Sequence, residues 1–324
     1  MTRFDVVSMG NALVDVLAHE NDDFVVRTGV ERGAMTLVDR VRSDEIYAHM
    51  SPTTEASGGS AANTAAGVAL FGGRAAYLGR VADDTFGKVF THDLRAAGVY
   101  FESPVADTAT PTGRCLVIVT SDAQRTMCTY LGAGVELDTR YVDESVVESA
   151  AVTYLEGYIW DLPAAKEAVR HAATVARRAD RRVALTLSDP FCVERHREEF
   201  RDLIEHHIDI LFANEHEITS LYEVESFDEA MHVVRGKCEI AALTRGPHGS
   251  VIVAGDDVHV IDPEPVTVVD TTGAGDSYAA GFLYGLTHRR RLTACGRLAS
   301  QAAAETISQL GARPARPLSD FLRD

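Results

Sequence analysis

Short apolar runs alternate with longer amphipathic stretches through most of the chain, the pattern of a mostly parallel β-sheet flanked by helices in an α/β fold. The clearest predicted strands cover residues 6–9, 183–187, 208–213 and 240–244. Residues 164–179 predict a helix with Ala168, Ala172, Val175 and Ala176 on one face, and the arginines at 177, 178, 181 and 182 mark its solvated end. Residues 266–269 alternate too little for a solvent-washed strand and predict a buried one. Just beyond them Tyr278, Ala279, Phe282, Leu283 and Leu286 repeat at helical spacing. Two regions, near 13–37 and 101–130, break the alternation with short apolar strands such as 116–119 that meet turn residues. They predict a small β-sheet lid over the carboxyl ends of the parallel strands. Residues 312–317, with two prolines, predict an irregular surface segment before a last short helix. No Pro/Gly/Ser-rich linker and no internal repeat divides the chain, so a single domain over 1–324 is expected, with the lid inserted at about 13–37 and 101–130.

Charge narrows the partners. The 31 basic residues against 48 acidic ones give a formal charge of -17, which disfavours nucleic acid and anionic membrane as general partners. A small-molecule partner is expected, and an anionic one would need local guidance. The five cysteines fall without a Cys-x-x-Cys pair, against a zinc knuckle or a disulfide framework, and a cytoplasmic protein is expected. The chain starts with a strand-like run at 4–7 and has no apolar run of membrane-spanning length.

The segment 268–276, Val-Val-Asp-Thr-Thr-Gly-Ala-Gly-Asp, carries the most chemistry. Its glycine turn sits at a helix N-terminus, where free backbone N–H groups and the positive end of the helix dipole favour an anion, and Gly273 and Gly275 let a ligand approach closely. A carboxylate at Asp276 would repel that anion unless it had a proton to take, as a general base for a hydroxyl does. The residues alone equally allow Asp276 to be a helix N-cap. A second glycine-rich element, Ser57-Gly58-Gly59-Ser60-Ala61-Ala62-Asn63, leads into a small-residue helix. Its glycines suit close helix packing as well as ligand approach, and an amide at Asn63 can read hydroxyls.

Together these two elements resemble the signatures of the ribokinase-like carbohydrate kinases, the phosphofructokinase-B group, over essentially the whole chain. The resemblance implies a Rossmann-like domain with a β-sheet lid, and transfer of a phosphoryl group from ATP-Mg to a primary alcohol of a sugar or nucleoside. It makes Asp276 the general base and the backbone of Gly273, Ala274 and Gly275 the anion hole. It assigns Asn214 and Glu217, an Asn-x-x-Glu motif, to the phosphates and Mg²⁺, with Glu217 acting through water. The structural alternatives for this pair are a helix cap and a first-turn dipole partner. In 244–249, Thr-Arg-Gly-Pro-His-Gly, the resemblance places Thr244, Gly246 and Gly249 near ATP, and it leaves room for a monovalent cation near the anion hole. No Gly-x-x-x-x-Gly-Lys-Ser/Thr loop is present, which disfavours a P-loop kinase.

The same resemblance puts Asp15 on substrate hydroxyls, with Asn11, Gly58, Gly59 and Asn63 completing the cradle. Several local runs, including 10–15, 157–158, 187–191 and 208–215, are similar to adenosine kinases and imply a nucleoside 5′-hydroxyl as acceptor. Tyr158 and Phe191 would then wall the base and Leu13 would edge it, although aromatics are more often core than platform. Arg125 matches a lid arginine that binds phosphate or closes the site; its alternative is an exposed lid arginine. Thr272 inside the turn and Ala61-Ala62 before Asn63 depart from familiar adenosine kinases, which bears on acceptor choice. The competing expectations are a kinase for ribose, fructose or a 2-keto-3-deoxy sugar acid, and a catalytically silent ligand sensor on this fold. Either a monomer or a homodimer is compatible with the sequence.

Overall fold

Strict alternation along buried strands sends successive side chains to opposite faces, and Val6 and Val7 on strand β1 (Phe4–Met9) belong to two different apolar layers. The computed structural model describes residues 2–33, 35–102, 109–122 and 124–323. The large sheet comprises β1, β5 (Ala75–Leu78), β8 (Ala150–Glu156), β9 (Arg182–Thr186), β10 (Ile210–Asn214), β11 (Ile240–Thr244), β12 (Ser250–Ala254) and β13 (Asp257–Ile261). Its order is β13-β12-β11-β10-β9-β8-β1-β5, parallel except where β12 and β13 turn back as an antiparallel edge. Val7, Leu155, Val183, Leu185, Leu211 and Leu243 face one layer, which includes Ala168, Ala172, Val175 and Ala176 of the helix Pro163–Arg178. Val6, Tyr154, Phe212 and Ala242 face the other, under the helices Ser60–Leu70, Ala274–Thr287 and Leu292–Ile307. Burying each valine- or leucine-sized side chain contributes about 1.5–3 kcal/mol, so both layers stabilise the sheet.

A second sheet has the order β3-β7-β6-β2-β4, with β2 (Leu13–His19), β3 (Met35–Leu37), β4 (Thr54–Gly58), β6 (Thr112–Val119) and β7 (Arg125–Gly132). Its strands fall largely in the two regions that break the alternation, and β4 adds a strand outside them. Residues 34, 103–108 and 123, inside the expected lid segments, lie outside the described residues.

One expected strand is absent. Residues 266–269 run as irregular chain with Val268 and Val269 exposed, because Pro263 and Pro265 on the approach supply no N–H for a ladder. The segment is anchored instead by N–H groups of Val269 and Asp270 on the Ile307 carbonyl. Residues 312–317 are irregular as expected, but they do not lie wholly on the surface: Pro314 is buried and Arg313 turns inward.

Candidate active site

The order of connection reverses between β8 and β1, and a parallel sheet opens a crevice at the carboxyl ends of its strands at such a switch point. A cavity of about 540 Å³ lies there. Asn11 follows β1, Glu156 ends β8, and the two are joined across the switch: the N–H and Nδ2 of Asn11 donate to Glu156 Oε1 at 3.4 and 3.3 Å. Glu156 Oε2 accepts from the N–H of Ala61 at 2.8 Å, pinning the start of the helix Ser60–Leu70. Burial raises the Glu156 carboxyl to about 7 against these hydrogen bonds.

The glycine pair at 58–59 has a local cause. A Cβ on Gly58 would lie 2.4 Å from the Asp15 carboxylate, and one on Gly59, at φ +94, would lie 2.3 Å from the Asn11 carbonyl. Only the missing side chains let β4 and the following helix meet Asn11 and Asp15 so closely. Asp15 is half-buried and lines the cavity; burial raises its carboxyl to about 6, opposed by the charges of Arg313 and Arg125.

Asp276 stands in the first turn of the helix Ala274–Thr287 but does not cap it. The N-cap is Gly273, in the left-handed region at φ 75, where a Cβ would lie 2.1 Å from the Ala312 carbonyl. The carboxylate of Asp276 instead accepts from Ser60 Oγ at 2.6 Å and from Asn63 Nδ2 at 3.0 Å. Burial raises its pKa, and Ser60, Asn63 and Arg313 act against that rise. Beside it Thr271 to Gly275 line the cavity at the N-terminus of this helix, whose first N–H groups have no intrahelical acceptor; that of Ala274 donates to the Thr271 carbonyl at 3.3 Å.

The turn is tethered from the small sheet. Arg125, nearly buried, pairs with Asp270 at 2.5 Å and donates from Nη1 to Thr272 Oγ1 at 3.2 Å; it is not an exposed arginine. Asp270 also accepts from the N–H and hydroxyl of Thr272 and from the Gly311 N–H. Thr272, unusual within the motif, therefore ties the turn to both its neighbours.

At the far end of the cavity, Asn214 and Glu217 form a capping box. Asn214 Oδ1 accepts from the Glu217 N–H at 2.9 Å, and the Glu217 carboxylate accepts from the N–H and Nδ2 of Asn214 at 2.9 and 2.5 Å. Both residues line the cavity, with Thr244 and Gly246. Burial raises Glu217 to about 7. Tyr158 lines the wall, its hydroxyl on the carbonyl of Ser188, a non-glycine residue held at φ 74.

Of the residues singled out from the sequence, Asn11, Asp15, Gly59, Asn63, Tyr158, Asn214, Glu217, Thr244, Gly246 and 273–276 line one cavity. Gly58 and Arg125 lie behind the lining, and Gly249 closes the turn at the β11–β12 junction, receiving Arg245. Phe191 is placed away from it, 71% exposed near the start of the helix Pro190–His207. Ser60, Glu156 and Arg313 touch this site without standing out in the sequence; their partners lie 95 to 256 positions distant along the chain, so no local pattern marks them.

Residues 33–318 match the pfkB family carbohydrate kinase. A crystal structure of adenosine kinase from Sinorhizobium meliloti is 48% identical with a TM-score of 0.93, covering 99% of each chain. A probable sugar kinase protein from Rhizobium etli CFN 42 is also 48% identical, with a TM-score of 0.94 over 100% of this chain and 98% of the other. Adenosine kinase of Saccharomyces cerevisiae is 26% identical over 94% of this chain and 95% of its own. The chain belongs to the pfkB family of carbohydrate kinases, phosphotransferases that act on a hydroxyl group.

Proposed function

We propose that the protein is an ATP- and Mg²⁺-dependent nucleoside kinase that phosphorylates the 5′-hydroxyl of adenosine. The observation that carries this reading is the mixed character of one cavity. Asp15, Asn63 and Asp276 give it a polar floor suited to a ribose, while Leu13, Met35, Leu37, Met127 and Leu131 of the small sheet give it an apolar wall with room for a base. A bare sugar or a sugar acid would leave that wall unfilled, and two carboxylates would repel the acid. The 48% identity to an adenosine kinase adds support.

Asp276 accepts the proton of the 5′-hydroxyl as that oxygen bonds to the γ-phosphorus and the bond to the ADP oxygen breaks. Ser60 and Asn63 hold the carboxylate in place for this. The N–H groups of the turn at 273–275 receive the phosphoryl oxygens, where charge is stabilised. Asp15 accepts from the ribose diol, with Asn11, Gly58 and Gly59 shaping its surroundings. Thr244, Gly246 and Gly249 shape the nucleotide end. The small sheet acts as the lid, and Arg125 reports its position to the turn through Asp270.

The residues fit magnesium held at one remove. A carboxylate offers about four lone-pair positions, and two at Glu217 are taken by Asn214. The remainder suits a water ligand of the ion, and among the described residues no group of three acidic, histidine or cysteine side chains forms a cage. Bound there, Mg²⁺ would neutralise phosphate charge, with Asn214 and Glu217 orienting its waters. Adenosine salvage in the cytoplasm fits this reading.

The test is ADP release with ATP-Mg against adenosine, other nucleosides, ribose, fructose and keto-deoxy sugar acids. Adenosine should be the preferred acceptor by kcat/KM. Turnover only with a free sugar would move the substrate to the sugar-kinase reading, and none with any acceptor would favour a silent sensor.

A further inference from the structure

Arg313 reaches the site from a part of the chain with no signature motif. The segment that carries it is wedged against the turn: Gly311 N–H donates to Asp270 Oδ2 at 2.8 Å, and the Ala312 carbonyl fills the space left by the missing side chain of Gly273. Arg313 then points inward. Its Nε donates to Asn63 Oδ1 at 2.9 Å and its Nη1 to Ser57 Oγ at 2.8 Å, while Nη2 is buried without a protein partner.

Two consequences follow from that geometry. The first concerns Asn63, whose amide can present either end to Asp276. Arginine has only donors, so it fixes the carbonyl end on its own side and leaves Nδ2 for the Asp276 carboxylate. The second concerns charge. Asp15, Glu156 and Asp276 converge on the cavity floor, and the ionisable groups facing Arg313 are Asp15, Asp93, Asp276 and Tyr77. Those facing Asp276 are Arg313, Asp15, Glu156 and Tyr154. Arg125 also faces Asp15, but Arg313 is the cation that faces both Asp15 and Asp276, and enclosure of the guanidinium leaves its charge poorly screened.

We propose that Arg313 is a positioning residue for phosphoryl transfer: it fixes the Asn63 amide so that this amide holds Asp276, and its charge balances Asp15 and Asp276. The inference rests on Asp276 being the base. It assigns the 311–313 segment to the active site and not only to the fold.

The test compares Arg313→Met and Arg313→Lys in the full chain, reading kcat and both KM values from pH 5 to 9, with thermal melts and ATP binding as checks on folding. Arg313→Met should lower plateau kcat roughly 10- to 100-fold with the KM for ATP within about twofold, and move the acidic limb of the kcat profile up by about one pH unit. Arg313→Lys should bring the limb back toward the wild-type position without restoring the plateau, because an ammonium keeps the charge and loses the fork. A melting temperature that drops while plateau and limb stay as in the wild type would overturn the proposal, as would a lysine variant with the methionine variant's limb. Asp276→Asn measured alongside separates the two readings: near-normal turnover there removes the base assignment itself, whereas its loss together with an unaffected Arg313→Met removes only the role of Arg313.

Discussion

At the scale of single residues, the cavity floor around Asp15 and Gly59 is a set of close approaches that only particular side chains permit. Asp15 packs closely against Gly58, with a carboxyl that burial raises to about 6. If it reads the ribose diol, Asp15→Ala should weaken adenosine binding roughly 10- to 100-fold and leave ATP binding almost unchanged, as separate titrations of the two ligands would measure. An equal loss for both would indicate damage to the fold. Gly59→Ala should destabilise the protein by about 1–3 kcal/mol in urea unfolding, because it adds a strained backbone to a collision with the Asn11 carbonyl. A variant as stable as the wild type would show that the cradle is looser than this geometry requires.

At the scale of elements, the small sheet and the signature turn are coupled by the Arg125–Asp270 pair, buried on both sides. Removing one partner leaves a buried charge unpaired, so Arg125→Met should cost about 3–5 kcal/mol. The double variant Arg125→Met with Asp270→Asn should recover much of that stability without recovering turnover. Recovery of both would mean that the pair holds the fold and nothing more. These elements were unevenly legible. Strands β9, β10 and β11 and the helix Ala274–Thr287 show in the apolar pattern because burial on both faces, or on one helical stripe, is a local property. The segment at 266–269 has the same apolar content, but its prolines and the Ile307 carbonyl decide its path. Phe191 is offered as a wall for the base by the resemblance of the run 187–191 to adenosine kinases, yet its direction depends on how the helix Pro190–His207 packs, which local sequence does not contain.

At the scale of the whole molecule, the sheet gathers carboxylates at its switch point that would be exposed in the unfolded chain. Glu156 is the clearest case: its folded pKa is raised from 4.5 to about 7. The folded state therefore binds this proton more tightly than the unfolded state. That contribution to stability is complete below about pH 4.5 and is lost as pH rises through about 7. Glu156→Gln cannot titrate, so its melting temperature should improve relative to the wild type between pH 5 and pH 8; a constant offset would show that Glu156 stays ionised throughout. The glycine-rich motifs announced the site, but Glu156, Ser60 and Arg313 join it only through the fold. The most direct measurement is adenosine-dependent ADP formation by wild type and Asp276→Asn, side by side at saturating ATP-Mg. With Asp276 as the base, kcat should fall by about 10²–10⁴-fold while ATP binding persists. Near-normal turnover by the asparagine variant would contradict the account.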